Sequence, residues 1–243
     1  MKRLLSFFLF CVLGVIGTLA QHPKLLLTKE ELGYMKQHMN EVPAFGRVVD
    51  DLLQKADEAC AAAIQIPTPV DGGGGAVHEQ HKSNYYAMFH AGLAYQYTGH
   101  KKYADFVAQM LMEYAQKYPK WGLHPVNLSP VPGRLFWQTL NESVWLVHTA
   151  MAYDCVYDAL SAKQRKFIEK NLLFNMADFI MNGYGDRKGN HEMFNRMHNH
   201  ATWATSAVGM VGMTTGNQSL VRKALYGTDE TGKNGGFLRQ MDY

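Results

Sequence analysis

Cysteine is scarce in this chain. There are three in 243 residues and no C-x-x-C, so there is no disulfide framework or thiol redox motif to read. Charge of one sign is also lacking. Lys and Arg total 24 against 21 Asp and Glu, which leaves no strongly basic surface for nucleic acid. No segment holds the two-residue period of a strand over any length, which excludes sandwiches and barrels. G-x-S-x-G, the P-loop and the dinucleotide fingerprint are missing, and glycines 72–75 lack the Lys and Ser/Thr of a phosphate cradle. The H-E-x-x-H zincin motif fails because Asn195 stands where the second His belongs. His78, His81, His191, His198 and His200 have no acidic or cysteine ligand at a recognised spacing, so neither a metal nor another cofactor is expected.

The N-terminus has the form of a secretory signal peptide. Lys2 and Arg3 precede an apolar run over 4–16, and the small residues of Thr18-Leu19-Ala20 precede Gln21. The run is too short to span a bilayer. We therefore expect a leader at 1–20, no transmembrane segment after its removal, and a periplasmic or secreted product. Losing Lys2 and Arg3 takes the balance from 24 − 21 = +3 to 22 − 21 = +1. Cys11 leaves too. Cys60 and Cys155 remain, either paired by export or held as two buried thiols.

The remainder reads as helices. Thr28 with Glu31 forms a capping box. Apolar residues at three- and four-residue spacing predict helices over 44–66, 78–97, 101–118, 136–160 and 162–182. Pro67-Thr68-Pro69 is expected to end the first of these, and Ser161 to cap the last. Residues 70–77 form a glycine-rich loop, and 121–133 is irregular with three prolines. Short helices are expected over 218–226 and from Thr231. The fold class is all-α. Helical hairpins of about 40 residues recur, and such units stack into a solenoid or curl into an (α/α) toroid whose inner helix ends surround a cleft. The last helix has no stop signal before Tyr243, so the domain over 21–243 is expected to be truncated at its C-terminus.

Two polar clusters carry the chemistry. The first, residues 189–203, reads G-N-H-E-M-F-N-R-M-H-N-H-A-T-W and runs directly into a small, apolar helix. A polar cluster at the mouth of a buried helix is costly unless something polar binds there. Asn199 and His200 can donate hydrogen bonds to an anion without a fixed ion pair, and a helix start near Asn195 would add free N–H groups. The bland alternative is a helix N-terminus with Asn195 as cap. The second cluster, from Arg134 through Trp137, Gln138, Asn141 and Glu142, sets an aromatic ring beside amides, as a sugar site does. Its alternative is a core Trp at a solvated helix start. Paired carboxylates for glycoside hydrolysis have Glu142, Asp186 and Glu192 as candidates.

An H-P-x-L-L-L-T start (His22 to Thr28), W-Q-T-L-N-E-S-V-W (Trp137 to Trp145) and N-R-M-H-N-H-A-T-W (Asn195 to Trp203) together resemble the N-terminal domain of alginate lyases of polysaccharide lyase family 17. More loosely, they are similar to heparinase II/III-type enzymes. The resemblance implies an (α/α) toroid followed by a β-sheet domain that is absent here, and β-elimination on a uronate-containing polysaccharide or oligosaccharide, with no cofactor. It implies that Asn199 and His200 neutralise the uronate carboxylate, and that Gln138, Asn141, Arg134, His198 and Trp137 contact substrate. The family's catalytic tyrosines are expected beyond Tyr243, although Tyr184 and Tyr226 stay open. Two alternatives remain: a glycosaminoglycan lyase, and a non-catalytic helical domain that binds glycan. The sequence leaves the oligomeric state undetermined.

Overall fold

The computed structural model describes residues 21–39, 41–126, 128–183 and 189–242. The expected leader with Cys11 lies outside them, as do Tyr184, Asp186 and Tyr243. Every regular element among the described residues is a helix, so the chain is all-α as expected.

Helix α1, Lys29–His38, opens on the expected box. Thr28 Oγ1 accepts the Glu31 N–H at 3.2 Å, and the Glu31 carboxylate accepts the Thr28 N–H at 2.7 Å. Helix α2, Pro43–Ala61, stops well before Pro67, which corrects the expected end at 66. Ala62 turns extended, and the chain leaves the helix axis so that Ile66 enters the core. Helices α3, Ala76–Thr98, and α4, Lys101–Lys117, form a hairpin around Gly99, which closes α3 at φ 73°.

Helix α5 spans Thr139–Val156 rather than starting at 136. Ser161 caps α6, Ala162–Ile168, with Gln164 completing the box. A π turn at Glu169–Leu173 leads into α7, Phe174–Asn182. Then come α8, Gly189–Phe194, α9, Asn199–Thr215, α10, Gln218–Tyr226, and α11, Phe237–Met241. The last begins six residues later than expected. Thr231 instead closes a turn, with its N–H and hydroxyl both donated to Asp229 Oδ1. Cys60 and Cys155 are both free, with Cys155 buried, so the disulfide alternative falls.

Contacts at the helix ends fix the direction of the three long inner helices. At their C-terminal ends, Thr214 of α9 donates to Asp154 of α5 at 3.0 Å, and Gln96 of α3 donates to the Cys155 carbonyl. Gly92 lets α3 approach α5, since a Cβ there would stand 3.1 Å from Cys155 Cβ. At the other end, His78 of α3 meets Phe136, just before α5, with ring centroids 4.9 Å apart. Helices α3, α5 and α9 therefore run parallel, side by side in that order. Their return helices α4, α6–α7 and α10 pack against them. Thr139 to Asp154 and Asn199 to Thr214 are equal steps of 15 residues, about 22 Å of rise, so α5 and α9 also begin level with each other.

Asp154 ties this end together. It is 1% exposed and accepts from His22 Nδ1 at 2.6 Å, the Lys24 and Leu25 N–H groups at 2.7 and 2.9 Å, and Thr214 Oγ1. Burial alone would raise its pKa. The bonds from His22, Lys24 and Leu25 outweigh burial and hold it below the ordinary carboxylate value. A depressed pKa gives stability that is present above the unfolded value and is lost as pH falls through the folded one. Asp154→Ala should cost about 3 kcal/mol in urea unfolding, because it strands buried donors. Asp154→Asn should cost less, and its melting temperature should fall less than wild type's on acidification below about pH 4. Equal acid sensitivity in wild type and the Asn variant would refute this role.

Candidate functional site

The level N-terminal ends of α3, α5 and α9 differ in how they are closed. Helix α3 is capped from outside: Asp71 accepts the Val77 and His78 N–H groups at 2.9 and 2.8 Å. Gly75 is required there, because a Cβ would fall 2.3 Å from Asp71 Cγ. The glycine-rich loop thereby folds over the start of α5, with Gly73 against Trp137 Nε1. At α5, Gln138 is the N-cap residue, but its side chain makes no cap bond. It donates instead to Asn141 Oδ1 at 3.0 Å, and both residues are half-buried. Trp137 and Gln138 thus precede the helix, where the sequence suggested they opened it.

Helix α9 begins at Asn199, not near Asn195. His198 is its cap, with Nδ1 accepting the His200 N–H at 3.2 Å. Asn195 bonds with Thr228 in both directions, at 2.9 and 3.0 Å, and holds the turn before α11. Asn199 is exposed and His200 half-buried. The His198 and His200 rings meet edge to face at 4.7 Å. Burial, then the neighbouring His198, lowers the His200 pKa and favours the neutral ring. Its Nδ1 is shielded from water and has no hydrogen-bond partner among the described residues. The first-turn N–H groups of Asn199 and Ala201 have no intrahelical acceptor and favour an anion. An exposed amide, an imidazole shifted toward its neutral form and a helix N-terminus thus adjoin at the start of α9, level with Gln138 and Asn141 on the next helix.

Two other expected residues belong to the scaffold. Arg134 is 6% exposed. It donates to the carbonyls of Tyr118 and Trp121 and to Asn175 Oδ1, and it lies over the Tyr118 ring at 4.4 Å. Glu142 is fully buried and accepts from Tyr118 OH at 2.6 Å and from the Arg134 and Leu135 N–H groups. Burial raises its pKa against those bonds. Together they pin the proline-rich loop to α5. Glu192 is exposed and pairs with Arg196 at 3.4 Å. Asp186 lies outside the described residues; of the other two candidates, Glu142 is buried and Glu192 exposed. No group of three or more His, Cys, Asp or Glu among the described residues could hold a metal ion. A 770 Å³ apolar groove lies elsewhere, between α1, α2 and the C-terminal end of α3.

The family model for alginate lyase matches residues 36–238. The chain belongs to the alginate lyase family. It is 41% identical over 221 residues to the exo-oligoalginate lyase of Saccharophagus degradans, covering 91% of this chain and 29% of that protein. It is 46% identical over 181 residues to the alginate lyase of Stenotrophomonas maltophilia, covering 74% of this chain and 23% of that protein. The chain therefore spans less than a third of the length of the curated relatives it matches. Within this alginate lyase family chain, scaffold and site separate by what each polar group touches. Glu142→Ala should cost about 3 kcal/mol in urea unfolding, by leaving Tyr118 OH and two N–H groups without an acceptor. Asn199→Ala, at an exposed position, should stay within about 0.5 kcal/mol of wild type. A large loss at Asn199 would make it scaffold as well.

Proposed function

We propose that this chain is the substrate-binding part of an exported polysaccharide lyase that cleaves alginate or its oligosaccharides by β-elimination. Its arc of parallel helices would form part of an (α/α) toroid. The observation that carries the reading is the pairing of exposed Asn199 with neutral, half-buried His200 at the start of α9, level with Gln138 and Asn141. Family membership supports the substrate class.

The chemistry requires such a pair. The C5 proton of a uronate is barely acidic, because its loss puts a second negative charge on a group that already bears one. Donors aimed at the carboxylate stabilise the aci-anion as it forms, and preorganised donors do this without reorganisation at the moment of reaction. A base then takes the C5 proton, and an acid protonates the oxygen that leaves C4. The resemblance assigns both tasks to tyrosines. Trp137, Gln138 and Asn141 would contact a neighbouring sugar, and His198 would orient His200 through the α9 cap. Arg134 would act only by holding the loop that carries Trp137.

The test is made in the full-length protein with polymannuronate, polyguluronate and heparan sulfate as substrates, following the ultraviolet absorbance of the unsaturated uronate. Asn199→Ala and His200→Ala should each lower kcat on alginate by about 10²–10³-fold, with melting temperatures near wild type. Normal product formation in either variant would overturn the reading.

A further inference from the structure

The side of α9 that bears Asn199 continues into the fold. Trp203 follows by four residues, one turn deeper on the same face, about 6 Å below the start of the helix. It is 38% exposed, while Ala201, Ala204 and Thr205 around it are buried. A matching ring stands on α3. Tyr86 is 45% exposed between buried Tyr85 and Met88. It meets the His148 ring of α5 edge to face at 5.4 Å, and His148 is held by its Nδ1 bond to the Val144 carbonyl at 2.8 Å. That contact puts Tyr86 level with His148, about 13 Å below the start of α5.

Both rings border the same strip. The sides of α5 facing α3, the outer helices and α9 are occupied by Cys155, Trp145 and Asp154 respectively. The side left over carries Leu140, Val144 and Met151, all half-buried. Because α5 lies between α3 and α9, Tyr86 and Trp203 flank this strip from opposite walls. Polar groups accompany them: the His148 ring beside Tyr86, and Asn199 one turn above Trp203. This differs from the groove by α1 and α2, whose lining is almost wholly apolar. A sugar ring has an apolar C–H face and a polar rim, and it needs this mixture of flat ring and nearby hydrogen-bonding group.

We infer that Trp203 and Tyr86 are ring platforms of a glycan trough below the carboxylate pair, Trp203 for the sugar next to the Asn199–His200 site and Tyr86 for a sugar deeper in. The inference rests on the uronate reading of that site. A chain entering at the helix N-termini meets Trp203 first and Tyr86 about 7 Å further in. Neither ring touches the reacting atoms; both position the substrate.

The test is binding of an alginate tetrasaccharide to the full chain by calorimetry. Trp203→Ala and Tyr86→Ala should each weaken Kd by about tenfold, while Trp203→Phe and Tyr86→Phe, which keep a flat ring, should recover most of the affinity. With fluorotryptophan incorporated, the resonance removed by Trp203→Phe should shift during titration of the wild type, and that of buried Trp145 should not. This readout needs no truncated variant to fold. Wild-type affinity in both Ala variants, or an unmoved Trp203 resonance, with Asn199→Ala still weakened, would overturn the platforms and leave the carboxylate pair standing. A wild-type chain that fails to bind the tetrasaccharide would overturn both readings.

Discussion

One buried carboxylate sets the register on which the rest depends. Asp154 collects bonds from the N-terminal segment, from α9 and, through its own helix, from the α3–α5 seam. An ionised group this far from water is tolerable only when its oxygens are fully engaged, and four donors meet that demand. Fixing Thr214 to Asp154 fixes α9 against α5 along their axes. A slip of one turn would move Asn199 by about 5.4 Å relative to Gln138. The geometry at one end of the helices is therefore controlled by a bond at the other.

The site end is built on a different rule. There the fold satisfies only the groups it needs for itself. Asp71 closes α3, His198 closes α9, and Glu142 with Tyr118 and Arg134 fastens the proline-rich loop. The Gln138 side chain stays off the backbone of α5, and His200 Nδ1 takes no partner among the described residues. Buried polar groups are normally paired, and on the proposed reading the substrate carboxylate at the α9 N-terminus would complete the set.

The sequence was legible where the physics is local. Thr28 with Glu31 and Ser161 with Gln164 are three-residue signals, and both boxes form. The parallel inner helices follow from short hairpins, whereas the helix start expected near Asn195 lies at Asn199, because Asn195 bonds to Thr228 and His198 takes the cap. Helix ends set by tertiary contacts were not legible. Ile66 is drawn into the core before Pro67 can act, and Leu135 and Phe136 are buried ahead of α5, where the Arg134 and Leu135 N–H groups bond to Glu142. Arg134 entered as a substrate contact through the resemblance alone, and its bonds to Tyr118, Trp121 and Asn175, 13 to 41 residues away, were not legible in the sequence. Asp154 was silent in an apolar stretch, since its His22 and Thr214 partners are 132 and 60 residues distant.

On the proposed reading, neutral donors suit elimination better than a cation would. A Lys or Arg at the carboxylate would hold substrate and product tightly through the single charge that each already carries, which is binding spent in the ground state. Uniform binding of that kind does not raise kcat. A neutral imidazole and an amide interact modestly with a single charge and more strongly as a second develops beside it. The α9 start keeps His200 neutral by two means, burial of its ring and the nearness of His198, whose Nδ1 is turned to the backbone as a cap. The residue that caps the helix is thereby also the second, smaller cause of the lowered pKa two positions on. On the proposed reading, that links the fold of α9 directly to the acidity of the sugar bound above it.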